Sequence, residues 1–110
     1  MNAFPTRVII ERDADLIIEW SAKNEHMIHD AVLLGVQLLL SHPHEEDLIL
    51  IEFFESSLDD ESFADVGLQR EDIIESLRLA EKFYVNVEEY EKAADAKNLI
   101  SIANIKLTEQ

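Results

Sequence analysis

Turn-forming residues are scarce in this chain: two Gly and two Pro serve 110 residues. A sandwich or barrel reverses direction every few residues and needs many such positions, so the sequence predicts long helical elements. Apolar residues make up 47%, enough to build a core despite a formal net charge of −15. The length predicts a single domain, residues 1–110. No Cys is present, which excludes disulfides, thiolate metal sites and cysteine nucleophiles. The expected fold is all-α, a small helical bundle.

Charge is spread unevenly. Residues 24–69 contain no Lys or Arg, yet hold eleven carboxylates and all four histidines, His26, His29, His42 and His44. A surface of this sign repels phosphates and draws in basic partners. Basic patches with interleaved aromatics are absent, so direct nucleic-acid binding is not expected. The densest acidic groups are Glu45, Glu46 and Asp47, then Asp59, Asp60, Glu61 and Asp65. These are the candidate contacts for a protein partner with a basic surface. The opening Met1-Asn2-Ala3-Phe4-Pro5 lacks the basic-then-apolar order of a secretory leader. The longest apolar stretch, residues 31–40, is about half the ~20 residues that span a bilayer. A cytoplasmic protein without a membrane partner is expected.

The segment over residues 7–20 admits two readings. Val8-Ile9-Ile10 and Leu16-Ile17-Ile18 can be two strands of an N-terminal β-hairpin, which would make the fold α+β. The preferred reading is a helix from about Asp13, with Ile17 and Trp20 at helical spacing. Asn24 then suits the N-cap of a second helix running to about Leu40. That helix is apolar nearly all round and is expected at the buried centre. Ser41-His42-Pro43 ends it, and Pro43 opens a third helix with Glu45, Glu46 and Asp47 in its first turn. Residues 48–54 continue that helix, with a buried strand as the alternative. Residues 56–67 read as a loop or a short helical turn, with Gly67 as a helix C-cap. Phe53, Phe54, Phe63 and Tyr84 are read as exposed and would suit burial in a homodimer.

The C-terminal third is more regular. Ile73, Leu77, Ala80 and Tyr84 recur at i, i+4, i+7 and i+11, and Asn86 with Glu89 suggests a capping box for a final helix. That helix is expected to turn Tyr90, Ala93, Ala94, Ala96, Leu99, Ile100 and Ala103 inward, closing an antiparallel helical hairpin. Within it, Tyr90, Glu91, Ala93, Ala94, Lys97 and Ile100 follow an order of aromatic, acid, paired alanines, base and aliphatic residue. Leu77 falls at the leading Leu of the first arm. In these positions the hairpin, about residues 77–105, resembles the UVR motif of excision-repair proteins and some bacterial Clp protease adaptors. Glu81, Tyr84, Asp95 and Asn98 depart from the family pattern. The resemblance implies protein–protein docking, with Tyr90, Glu91, Ala94 and Lys97 as contacts and no catalytic groups. Paired small residues also serve a generic close-packed hairpin, so the pattern has a purely structural reading.

Candidate chemistry is thin. His26 and His29 lie one helical turn apart, a spacing that metal sites use, and His29-Asp30 resembles the pair of HD-type phosphohydrolases. The wet first turn of a buried helix accounts for the same residues. Glu52-x-x-Glu55 with Glu71, Asp72 and Glu75 resembles the magnesium-binding acids of MazG-type nucleotide pyrophosphohydrolases, with Arg70 and Arg78 available for phosphate. Ile74 stands where that pattern needs an Asp. No Gly-rich phosphate loop is present. The sequence therefore favours a small acidic adaptor, with neither catalysis nor a cofactor expected. The alternatives are a DNA-mimic inhibitor of a nucleic-acid-binding protein and a MazG-like pyrophosphohydrolase.

Overall fold

The computed structural model describes residues 4–108; Met1-Asn2-Ala3, read above for a leader, lies outside them. The elements run β1 Thr6–Ile9, α1 Ala14–Lys23, α2 Glu25–Ser41, β2 Asp47–Phe54 and β3 Ala64–Gln69. A 3-10 turn at Arg70–Asp72, α3 Ile73–Asn86 and α4 Tyr90–Thr108 complete the order. The fold is α+β, not all-α. Strands β1, β2 and β3 form one sheet in that order, with β1 parallel and β2–β3 antiparallel.

The α+β alternative names the right class but the wrong strands. Val8 and Ile9 do lie in a strand, whereas Leu16, Ile17 and Ile18 belong to α1, whose N-cap Asp13 accepts from the Asp15 amide. β1 therefore finds its partner in β2, across a crossover made of α1 and α2.

Strand β2 replaces the helix expected from Pro43. Its pairing with β3 slips between Ile49 and Ile51, so Leu50 is the extra residue of a β-bulge. A bulge puts two successive side chains on one side. Leu48, Leu50, Ile51 and Phe53 consequently all face inward, and both Leu50 and Ile51 are buried. The expected Gly67 helix cap is overturned as well: Gly67 sits within β3, opposite Ile49.

Helix α2 is the hub, packing on β2 and β3 and also on α3 and α4. Gly35 makes the sheet contact close. A Cβ there would lie 2.9 Å from Leu50 Cδ2 and 3.2 Å from Leu68 Cδ2. Glycine costs an interior helix about 1 kcal/mol relative to Ala, which the close packing offsets. Asn24 does not cap α2 with its side chain, but donates back to the Trp20 carbonyl instead.

The C-terminal hairpin forms as its periodicity predicts. Ile73, Leu77, Ala80 and Tyr84 are all buried, facing Ala93, Ala96 and Ala103 of α4. Asn86 ends α3 rather than capping α4. The turn is a left-handed one at Glu88 (φ 63°), closed by Glu89 N–H to the Tyr84 carbonyl and Glu88 N–H to the Val85 carbonyl. Tyr90 and Ala94 are exposed, contrary to their expected place in the core. Ala94 is rotated about 100° from Ala93 and falls outside the stripe of residues 93, 96 and 103.

Candidate functional site

The residues singled out for binding occupy three places. Glu45, Glu46 and Asp47 lie where the chain enters β2, and Glu71 is brought beside them. Glu46, Asp47, Gln69, Arg70 and Glu71 line a shallow pocket of about 210 Å³. Asp59, Asp60 and Glu61 lie on the loop after β2, and Asp65 pairs with Glu52 across β2–β3. Tyr90, Glu91, Ala94 and Lys97 share the exposed side of α4, in the helical layer behind the sheet.

All seven acids of the first two groups enter no ion pair among the described residues. The cations near them are engaged elsewhere. Arg70, only 8% exposed, donates from Nε to the Glu45 carbonyl and from Nη2 to those of Leu39 and His42. A guanidinium beside the last carbonyls of α2 satisfies acceptors the helix leaves open and complements its negative end. Arg7 stacks over Phe54 (3.6 Å to the ring centre) and donates to the Ser57 and Asp59 carbonyls. Arg12 pairs with Glu55 at 2.9 Å and lies over the Phe63 ring. These contacts pin the acidic loop against the end of the sheet.

The outer face of the sheet was not legible as a site. Opposite the α2-facing residues, the strands present Arg7 and Ile9 from β1, Asp47, Ile49, Glu52 and Phe54 from β2 and Asp65, Gly67 and Gln69 from β3. All but Glu52 and Phe54 are exposed; Phe54 is buried beneath Arg7, and Glu52 is half-buried with Ser62 donating to it at 3.4 Å. The alternation of Asp65 and Gly67 with Val66 and Leu68 was the available signal in the sequence, and Ile49 proves 39% exposed.

Sequence reasoning also missed a polar cluster that ties the α3–α4 turn to the start of α2. Tyr84 Oη donates to Asp30 Oδ1 at 2.6 Å, and Lys92 Nζ reaches the same oxygen at 3.0 Å. His26 Nε2 meets Glu89 Oε2, while His29 stacks on Phe83 with centroids 4.6 Å apart. Burial opposes ionisation of Asp30, but the hydrogen bonds from Tyr84 and Lys92 prevail and hold its carboxyl below the usual range. Burial, with the Asp30 carboxylate beside it, pushes the Tyr84 phenol up. The Asp30 hydrogen bond raises Lys92. Burial lowers His29, whose Nδ1 has no hydrogen-bond partner among the described residues. The two partners of Asp30 lie 54 and 62 residues from it in the chain, beyond the reach of any local motif.

The arrangement is a structural clasp. His29 and Asp30 are taken up by Phe83, Tyr84 and Lys92, not aimed at a common point as the phosphohydrolase resemblance requires. Among the described residues no group of three or more His, Asp or Glu side chains is placed to hold a metal ion. The MazG-type acids are likewise dispersed. Glu52 lies on a strand, Glu55 faces Arg12, and Arg70 is occupied by carbonyls. The aromatic residues assigned to a homodimer are not exposed either: Phe53, Phe54 and Tyr84 are buried and Phe63 is half-buried.

Comparison with protein-family profiles, curated proteins and solved structures finds no match to any of them. Among the described residues no helix is long and apolar enough to cross a membrane.

Proposed function

We propose that this chain is a binding module for a protein with a basic surface. The observation that carries the reading is the turning of Arg7 and Arg70 onto backbone carbonyls. It leaves Glu45, Glu46, Asp47, Asp59, Asp60, Glu61 and Asp65 outside any ion pair among the described residues. Like charges at that density repel one another, and a cationic partner relieves the repulsion. The exposed α4 side with Tyr90, Glu91, Ala94 and Lys97 supports a second, hairpin-to-hairpin contact of the UVR-like kind.

The test is kinetic. Proteins retained from a source lysate at low salt and released at high salt are purified and measured singly. Association should slow as salt rises, and slow again in the Asp59→Asn, Asp60→Asn, Glu61→Gln variant, with melting unchanged. An association rate indifferent to both would reduce the acidic groups to a solubility device. Competition by duplex DNA for the same partner would select the DNA-mimic form of the reading.

A further inference from the structure

The chain has two glycines, and only one of them is explained by the fold. Gly35 is explained by packing, since a Cβ there would lie 2.9 Å from Leu50 Cδ2 and crowd Leu68 Cδ2 at 3.2 Å, so that buried side chains would have to shift. Gly67 is not. Its φ is not positive, and a Cβ at that position would meet only the Leu48 carbonyl oxygen, at 3.8 Å, with open space beyond. Glycine inside a strand weakens it, and one with no internal reason marks a place where something else approaches the backbone.

Its surroundings say what that is. Gly67 faces outward, paired with the exposed Ile49, so the two form an apolar trough in the open sheet face. Acids rim it: Asp47 beside Ile49, Glu52 and Asp65 farther along, and Glu71 at the adjoining pocket. Glu52 and Asp65 are direct cross-strand partners, a like-charge opposition that destabilises a sheet, and Arg7, in register with Glu52 on its other side, is turned onto Phe54 and the Ser57 and Asp59 carbonyls instead. The parallel β1–β2 pair adds a further sign, because parallel strands are commonly covered by helices on both faces and this sheet has them on one. A second copy of the chain would bring a further charge of −15 to a surface of the same sign.

We infer that the outer face of the sheet, centred on Ile49 and Gly67, is the dock for an amphipathic helix of another protein, its apolar stripe flanked by Lys and Arg. The inference rests on the basic-partner reading and assigns it a surface. The partner's aliphatic side chains settle into the trough, and its cations meet Asp47, Glu52, Asp65 and Glu71. The missing second helical layer is thereby supplied from outside.

The test uses a synthetic helical peptide of Leu and Lys at amphipathic spacing, with oligolysine as a charge-only comparison, both titrated by calorimetry at low salt. The leucine–lysine peptide should bind more tightly than oligolysine. Gly67→Val and Ile49→Lys should each weaken it by about tenfold, the size expected for loss of a central contact. Gly67→Val should melt no lower than the parent, and Ile49→Lys carries the test if it does. Leu79→Ala, at an exposed position of α3, should leave peptide binding unchanged. Equal binding of the two peptides, or binding insensitive to both sheet variants, overturns the dock while leaving the basic-partner reading intact. Failure of both peptides to bind removes the dock and the basic-partner reading together. A dimer of the free chain that Gly67→Val dissolves would put a second copy in the trough and overturn the inference.

Discussion

On its inner face the sheet gives Leu48, Leu50, Ile51, Phe53 and Leu68 to the core, and Gly35 lets α2 come into contact with it. On its outer face the same strands give Asp47, Ile49, Asp65, Gly67 and Gln69 to solvent, with Glu52 half-covered and Phe54 buried under Arg7. Shape decides the energetics of the first face: atoms are in van der Waals contact, and a single added methyl at Gly35 makes buried leucines give way. The second face tolerates a like-charge pair and an unneeded glycine because folding asks little of it. Features that folding does not require are where a use outside the molecule is to be sought.

The contrast can be broken by substitution. Phe53 is fully buried and stands edge-on to Trp20, with centroids 5.3 Å apart, so Phe53→Ala should lose the most. A loss of about 3–5 kcal/mol in denaturant unfolding is expected. A loss below about 1 kcal/mol would mean the inner face is not packed as described. Arg70→Met comes next. It removes the Glu45 carbonyl's Arg70 donor and one of two donors at the Leu39 and His42 carbonyls, which keep the His42 and Glu45 N–H groups, and should cost about 2–3 kcal/mol in the same measurement. Gly35→Val should cost about 1–3 kcal/mol by overpacking, whereas the same change at Gly67 should cost nothing. Equal effects at the two glycines would erase the distinction between the faces.

Acid should act from the inside too. Burial holds His29 below the ordinary histidine range, so the folded state keeps it neutral while the unfolded chain takes up a proton first. Its contribution is complete above a pH of about 6.5 and is lost as pH falls from there toward the lower folded value. His29→Gln should flatten the fall in melting temperature between about pH 7 and 5; an unaltered slope would assign the effect elsewhere. The smallest effect is expected outside. Asp65→Asn removes the opposition with Glu52 and should raise stability by about 0.2–0.5 kcal/mol, read as a slight rise in melting temperature. A loss would show that Asp65 supports the strand.

The helical parts were legible because their periods are intact. Ile73, Leu77, Ala80 and Tyr84 keep one face from end to end, and Asp13 is a side-chain cap that reads as one. β2 was not legible because the Leu50 bulge shifts its alternation in mid-strand, so Leu48 to Phe54 shows the continuous apolar run that a buried helix also shows. Val66 and Leu68 alternate correctly, but with Asp65 and Gly67 between them the strand signal is weak. Of the binding candidates, the acids were plain in the sequence; their division between the two ends of one open face was not, since register decides it. The Tyr84–Asp30–Lys92 clasp and the buried Arg70 are products of tertiary proximity, which no local pattern encodes.

Strand β1 has a consequence for how the molecule is made. Thr6 pairs with Ile51, so the first strand to leave the ribosome waits through α1 and α2 before its neighbour exists. Closing so long a loop is entropically unfavourable, whereas β2–β3 and α3–α4 close over short turns. Chain separation therefore favours early closure of the local hairpins and late addition of β1. Until β1 is added, the β2 backbone on that side offers an open row of hydrogen-bond donors and acceptors. A nascent or briefly opened molecule is most prone to capture by another strand there.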